Sequence, residues 1–242
     1  MAWASRPPSW RWRRTELHVT GTTAQPMLLQ QLQDLLAGIY DLPTDYSVSD
    51  FLFTERERLP SPARESDTDE QLLVLEEGDA ASVGLFLDPQ LLERLSSANP
   101  LEALNGGNLA DYWTALEGVS HFLYLAWNAE HDRGVSLLEL ELQAEIDKYV
   151  GSWWLLRQQD PARVPSELHN LLFERAHIDE KLAGARSDLY REANQFAARF
   201  CRRLERQLTA QVAQVQLETL AELRRFYRLS REHKVRHIRR HS

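Results

Sequence analysis

The residues best suited to chemistry stand in Glu117-Gly118-Val119-Ser120-His121. On a helix Glu117 and His121 fall one turn apart on one face, and Trp113, Tyr124 and Asn128 extend the same stripe. The next predicted helix supplies Glu141 and Glu145 at the same spacing. Carboxylates facing an imidazole inside a bundle could bind a metal or move a proton. Glu174 and His177 form one Glu-x-x-His pair. Di-iron bundles need two such pairs and two further glutamates, and the second pair is missing. His-Glu-x-x-His is absent as well. With no motif complete, the sequence implies no cofactor and no metal. It favours a packing role, in which Gly118 and Ser120 let another element approach closely and His121 bonds a neighbour.

Two further features invite chemistry. Asn105-Gly106-Gly107-Asn108 opens a helix and could cradle a phosphate through backbone amides. It lacks both the Gly-x-Gly-x-x-Gly and the Gly-Lys-Ser/Thr signatures, and a helix precedes it, so a plain turn is the expectation. Cys201 is the only cysteine. Its neighbours Arg199, Arg202 and Arg203 would lower the pKa of an exposed thiol, but the surrounding Ala197, Ala198, Phe200 and Leu204 favour a small buried hydrophobe.

Charge is segregated along the chain. Residues 224–242 carry +7 and residues 1–14 carry +4; against a chain total of −8, residues 15–223 carry −19. The basic C-terminal set is Arg224, Arg225, Arg228, Arg231, Lys234, Arg236, Arg239 and Arg240, interleaved with Phe226 and Tyr227. These residues suit contact with nucleic-acid phosphates, docking onto an acidic partner or anionic membrane face, or a solvated terminus. The acidic body opposes non-specific nucleic-acid binding. At the other end, Trp10 and Trp12 among arginines have the character of partner anchors.

The elements that must position these residues follow from periodicity. The chain of 242 residues is 43% hydrophobic and 26% charged, with 10 Gly and 10 Pro, a composition that favours helix. Residues 1–26 read as a flexible basic, aromatic arm with a short strand at Leu17–Thr20. A helix is expected over Met27–Tyr40, ended by Pro43. Three strand-like runs follow, Ser47–Thr54, Gln71–Leu75 and Ser82–Leu87, with Gly78-Asp79 as hairpin turn and Leu59–Asp69 as a mobile loop. From Asp88 onward the pattern is helical, with Asp88-Pro89 as cap and first turn and Ser136/Glu139 as a capping box. A helix is also expected from Pro165 through Leu182. Ser187–Tyr227 contains no breaker, so one long coiled-coil helix or two helices bent near Gln207–Gln211 both fit.

The expected fold is α+β and predominantly helical, with a small antiparallel three-stranded meander followed by about five helices, the C-terminal one long. The regions read as 1–26 arm, 27–100 small α+β region, 101–229 helical bundle and 230–242 basic tail. No signal peptide or apolar span is visible, and the lone cysteine excludes an internal disulfide, so a cytoplasmic address is expected. The functional expectation is a non-enzymatic interaction protein, an adaptor or accessory subunit with a protein partner and a homo-oligomer seam along the long helix. Nucleic-acid binding through the basic C-terminus is the alternative. A helical-bundle metal-dependent enzyme using Glu117, His121, Glu141 and Glu145 is the third.

Overall fold

A computed structural model describes residues 11–14, 24–43, 45–77, 80–174, 185–209 and 213–240. The protein is mostly helical with a small mixed sheet. The chain divides into two compact units, 1–35 with 43–135 and 36–42 with 136–242.

The first unit is organised on strand β4 (Ala80–Leu87). It pairs antiparallel along its length with β3 (Glu70–Glu77), from Glu70 opposite Leu87 to Glu77 opposite Ala80. Its other edge takes two short parallel strands in succession: β1 (Arg11–Arg14) against Ala80–Val83, and β2 (Leu52–Phe53) against Leu85 and Phe86. The sheet is thus mixed, and the expected antiparallel meander is corrected. Hairpin chemistry marks a local antiparallel pair, whereas parallel neighbours are joined by long connections that leave no local signature. The expected strand over Ser47–Thr54 is reduced to Leu52–Phe53, preceded by a 3₁₀ turn at Val48–Asp50, although Val48, Phe51, Leu52 and Phe53 are buried as their apolar character requires.

Strand β1 falls within the segment expected to be a flexible arm, with Trp12 opposite Ala81. Trp10, the Leu17–Thr20 strand and the 78–79 turn lie outside the described residues. The expected mobile loop at Leu59–Asp69 holds a short helix, α2 (Ser61–Arg64), after helix α1 (Ala24–Tyr40). Arg56 fastens the segment that follows, donating to Ser66 O at 2.5 Å, Thr68 O at 3.0 Å and Asp88 Oδ2 at 2.9 Å. Prolines and serines suggested mobility there, but a distant guanidinium satisfies the loop carbonyls.

Helix α3 (Pro89–Ser97) starts as expected, with Asp88 accepting from the Gln90 amide at 2.9 Å. Helix α4 (Leu109–Glu130) is buried on most of its faces and packs on β3 and β4. Gly118 permits that approach. A Cβ there would lie 2.9 Å from Leu85 Cδ1 and 3.0 Å from Glu70 Cγ, closer than side chains tolerate.

The second unit contains the end of α1 and helices α5 (Leu137–Gln159), α6 (Ala185–Thr209), α7 (Ala213–Tyr227) and α8 (Arg231–Arg240). The Ser136/Glu139 capping box opens α5. The helix expected through Leu182 is described only to a π-helical turn at Asn170–Glu174. Ser187–Tyr227 is two helices and not one rod. Phe200 of α6 stacks on Phe226 of α7 at 4.2 Å, and Gln207 reaches Glu222, so the pair runs antiparallel. Folding back buries Phe200, Leu204 and Leu208 with Leu223 and Phe226 inside one chain, which a single rod would leave to a partner.

Within the segment read as a basic tail, where Ser230 and Arg231-Glu232-His233 offer a cap for a last short basic helix, residues 231–240 form that helix. Lys234 and Ile238, one turn apart, are buried, and α8 packs on α6. Among the described residues no helix is long and apolar enough to cross a membrane.

Candidate metal centre

Within the first unit, β3 delivers Glu70 from its first residue and α4 delivers Glu117 and His121 from successive turns. One ligand atom from each lies within 4.8 Å of the others. His121 is 5% exposed, and both carboxylates are half-buried. His121 Nδ1 stands 3.6 Å from Glu70 Oε1. That is long for a hydrogen bond. Two ligands about 2.1 Å from a tetrahedral ion stand roughly 3.4 Å apart, so the separation suits shared coordination. Two carboxylates and an imidazole form a hard-to-borderline oxygen and nitrogen set, suited to zinc, manganese or ferrous iron.

The close approach expected at Gly118 is therefore the approach of Glu70 itself. Sequence reasoning missed Glu70, which lies in an acidic run at a strand start, far from α4, with no motif linking the two. The carboxylates expected from the next helix belong to the second unit. There Glu145 accepts from Lys148 Nζ at 2.8 Å, and Glu141 is buried. Glu174 pairs with Arg202, while His177 lies outside the described residues.

The second unit holds a different polar cluster. Tyr40 donates to Asp147 Oδ1 at 2.5 Å, and Gln143 donates to the same oxygen at 2.8 Å. Lys234 Nζ donates to Gln143 Oε1 at 2.5 Å and sits 4.9 Å from the ring centre of Phe226. Burial, then the Asp147 charge, pushes the Tyr40 hydroxyl well above its ordinary pKa, so its proton stays in place. Burial also raises the Cys201 thiol, reinforced by Glu145, Asp147 and Glu205. Cys201 is thus the buried hydrophobe expected and not an activated nucleophile.

The basic C-terminal residues divide by role. Arg224 donates to Ile39 O at 3.1 Å and Gly38 O at 3.3 Å. Arg228 donates to Tyr40 O at 3.0 Å and Asp41 O at 2.9 Å. Both guanidinium groups therefore serve the carbonyls that the end of α1 leaves without intrahelical partners. Lys234 is fully buried. Arg225, Arg231, Arg236, Arg239 and Arg240 remain exposed. His237 bonds Glu222 Oε1 at 2.9 Å, and Arg203 bonds the same carboxylate. Burial alone would raise the Glu222 carboxyl, but the His237 hydrogen bond and the Arg203 charge outweigh it and hold it below the usual range.

The Asn105–Asn108 turn is closed by its own side chains. Gly107 N donates to Asn105 Oδ1 at 2.9 Å, and Asn108 donates to the Ala98 and Ala103 carbonyls. Compared with known proteins, the chain matches no family model, no curated protein and no solved structure.

Proposed function

We propose that the protein binds a divalent metal ion in its first unit through Glu70, Glu117 and His121. The observation that carries this reading is the convergence of two carboxylates and a buried imidazole from two elements, with ligand atoms within 4.8 Å. Three protein ligands leave coordination positions for water or a substrate oxygen, the arrangement in which an ion acts as a Lewis acid. The reading thus includes metal-assisted chemistry at this site.

The test is metal analysis of purified protein, followed by zinc, manganese and ferrous iron titration of the metal-free form. Stoichiometric uptake that His121→Ala and Glu117→Gln abolish supports the proposal. If no ion binds below millimolar concentration, and Glu70→Gln or His121→Ala changes only stability, the cluster is a structural ion pair.

A second reading concerns partners. Exposed Arg225, Arg231, Arg236, Arg239 and Arg240, with Leu217 63% exposed on α7, support docking of an acidic protein onto the second unit. The chain would then also serve as an adaptor or accessory subunit, and its single buried cysteine supports a cytoplasmic setting. Charge reversal at Arg236, Arg239 and Arg240 should release a co-purifying protein. Retention on DNA or RNA with steep salt dependence would instead identify nucleic acid as the occupant. Sedimentation of the purified chain distinguishes a partner from self-association.

A further inference from the structure

We infer that Arg94 is the positioning residue of the Glu70–Glu117–His121 cluster, tying the strand that carries Glu70 to the helix that carries Glu117 and His121. The inference deepens the metal-binding proposal and rests on it for the choice of probe. Arg94 lies on α3, outside the cluster. Its Nε reaches Asp111 at 3.1 Å (Oδ1) and 3.0 Å (Oδ2), and its Nη2 reaches Asp111 Oδ1 at 2.9 Å. The same Nη2 donates to Asp69 Oδ2 at 3.2 Å.

The two acids are placed where a clamp would act. Asp69 immediately precedes Glu70, and Asp111 lies in the first turn of α4, six residues before Glu117. At 1.5 Å rise per residue those six residues span roughly 9 Å of helix. One guanidinium thus holds the start of β3 and the start of α4 together beside the cluster. The strand end is braced a second time, because the Asp88 amide donates to Asp69 O at 2.8 Å and Asp88 is itself paired with Arg56.

Gly118 supplies the opposite constraint. The clamp draws strand and helix together, while the missing Cβ of Gly118 leaves room for Glu70 at 3.0 Å and its neighbour Leu85 at 2.9 Å. Glu70 therefore meets His121 from a fixed direction. The forked, planar geometry of arginine matters here, since a lysine ammonium cannot engage both oxygens of Asp111 and also reach Asp69 along fixed directions. The side chains of Arg94, Asp69 and Asp111 are 47%, 41% and 22% exposed. Surface ion pairs of this kind contribute little to global stability. Their loss should leave the fold intact and be felt locally.

The experiment compares wild type, Arg94→Gln, Arg94→Lys and Asp111→Asn, with Co2+ as the metal probe and the imidazole resonances of His121 in the metal-free protein as a second readout. Outer residues that orient ligands typically change metal affinity by about 10- to 100-fold. Arg94→Gln is expected to weaken Co2+ binding about tenfold, to alter the visible spectrum of the bound ion and to shift the His121 resonances, with Arg94→Lys intermediate. Should Arg94→Gln fail to fold, Asp111→Asn carries the same expectation. Wild-type affinity, spectrum and His121 resonances in both Arg94→Gln and Asp111→Asn would overturn the inference. Should wild type take up no Co2+, the metal-binding proposal falls, and the His121 resonances still decide whether Arg94 sets the position of Glu70.

Discussion

In the second unit the buried acid Asp147 is linked through Gln143 to a lysine of the same chain. In the first, Glu70 and Glu117 meet an imidazole. The difference is one of charge supply. A buried ammonium with hydrogen-bonded oxygen and aromatic neighbours fixes a cation within the fold, and such a network specifies packing. A neutral imidazole is, by contrast, a metal ligand. Under the metal-binding proposal, an ion from solution would complete this set of two carboxylates and an imidazole. Buried polar residues therefore cannot be given one role across this molecule; the neighbouring cation decides.

The largest expected effect breaks the closed network. Lys234→Met removes the cation linked to Asp147, and removing one partner of a buried charged network costs about 3–5 kcal/mol. Urea unfolding measures it, and pairing the change with Asp147→Asn should recover most of the loss. A cost below about 1 kcal/mol for the single change would show that Lys234 is not structural in this sense.

Next comes the Glu70–Glu117–His121 cluster. Deleting one of three ligands by His121→Ala is expected to weaken metal binding at least about 100-fold, or about 2.7 kcal/mol, and to lower the unfolding midpoint as well because the buried ring leaves a cavity. A metal affinity equal to wild type would erase the contrast between the two units. Gly118→Ala is a smaller perturbation of the same site. Its Cβ would press on Glu70 and Leu85, so metal affinity should fall about tenfold, within the range for residues that orient ligands. Alanine improves intrinsic helix propensity by up to about 1 kcal/mol, which offsets some of the packing strain in a thermal melt. A melt and a metal titration that fall in parallel would assign Gly118 to general packing.

The acid limb of stability gives a finer comparison. Glu222 is held below the ordinary glutamate value of 4.5 in the folded protein, by the His237 hydrogen bond and the Arg203 charge acting against burial. Its contribution is present above the unfolded-state value and is lost as pH falls through the folded one. Urea midpoints measured from pH 6 to pH 3 should drop, and Glu222→Gln should flatten that limb. An unchanged slope in the variant would remove Glu222 from the anchoring of α8. The smallest effect is at Cys201, whose buried, raised thiol should resist thiol reagents until the protein unfolds.

Much of the helical half was legible from local chemistry. The Asp88 cap, the Ser136/Glu139 capping box and the end of α1 before Pro43 each depend on residues within one turn of each other. Gly118 was legible as a point of close approach, because a glycine inside a long apolar helix needs a packing reason. Long-range pairing was not legible. Strands β1 and β2 join β4 in parallel across long stretches of chain, and neither shows alternation enough to announce it. The basic C-terminus carried a composition that fits solvent as well as interior. Nothing local distinguishes Lys234, which is buried, from Arg236, which is exposed.

The sequence by itself determined the capped helix starts at Asp88 and Ser136 and placed Glu117 and His121 on one helical face, because caps and 3.6-residue periodicity are local properties. Only the tertiary structure decided that Glu70 joins them, that Arg224 and Arg228 serve the end of α1, and that Lys234 lies in the interior. Each of those outcomes depends on which distant segment supplies the opposite charge or the unsatisfied carbonyl, a choice made when the chain packs.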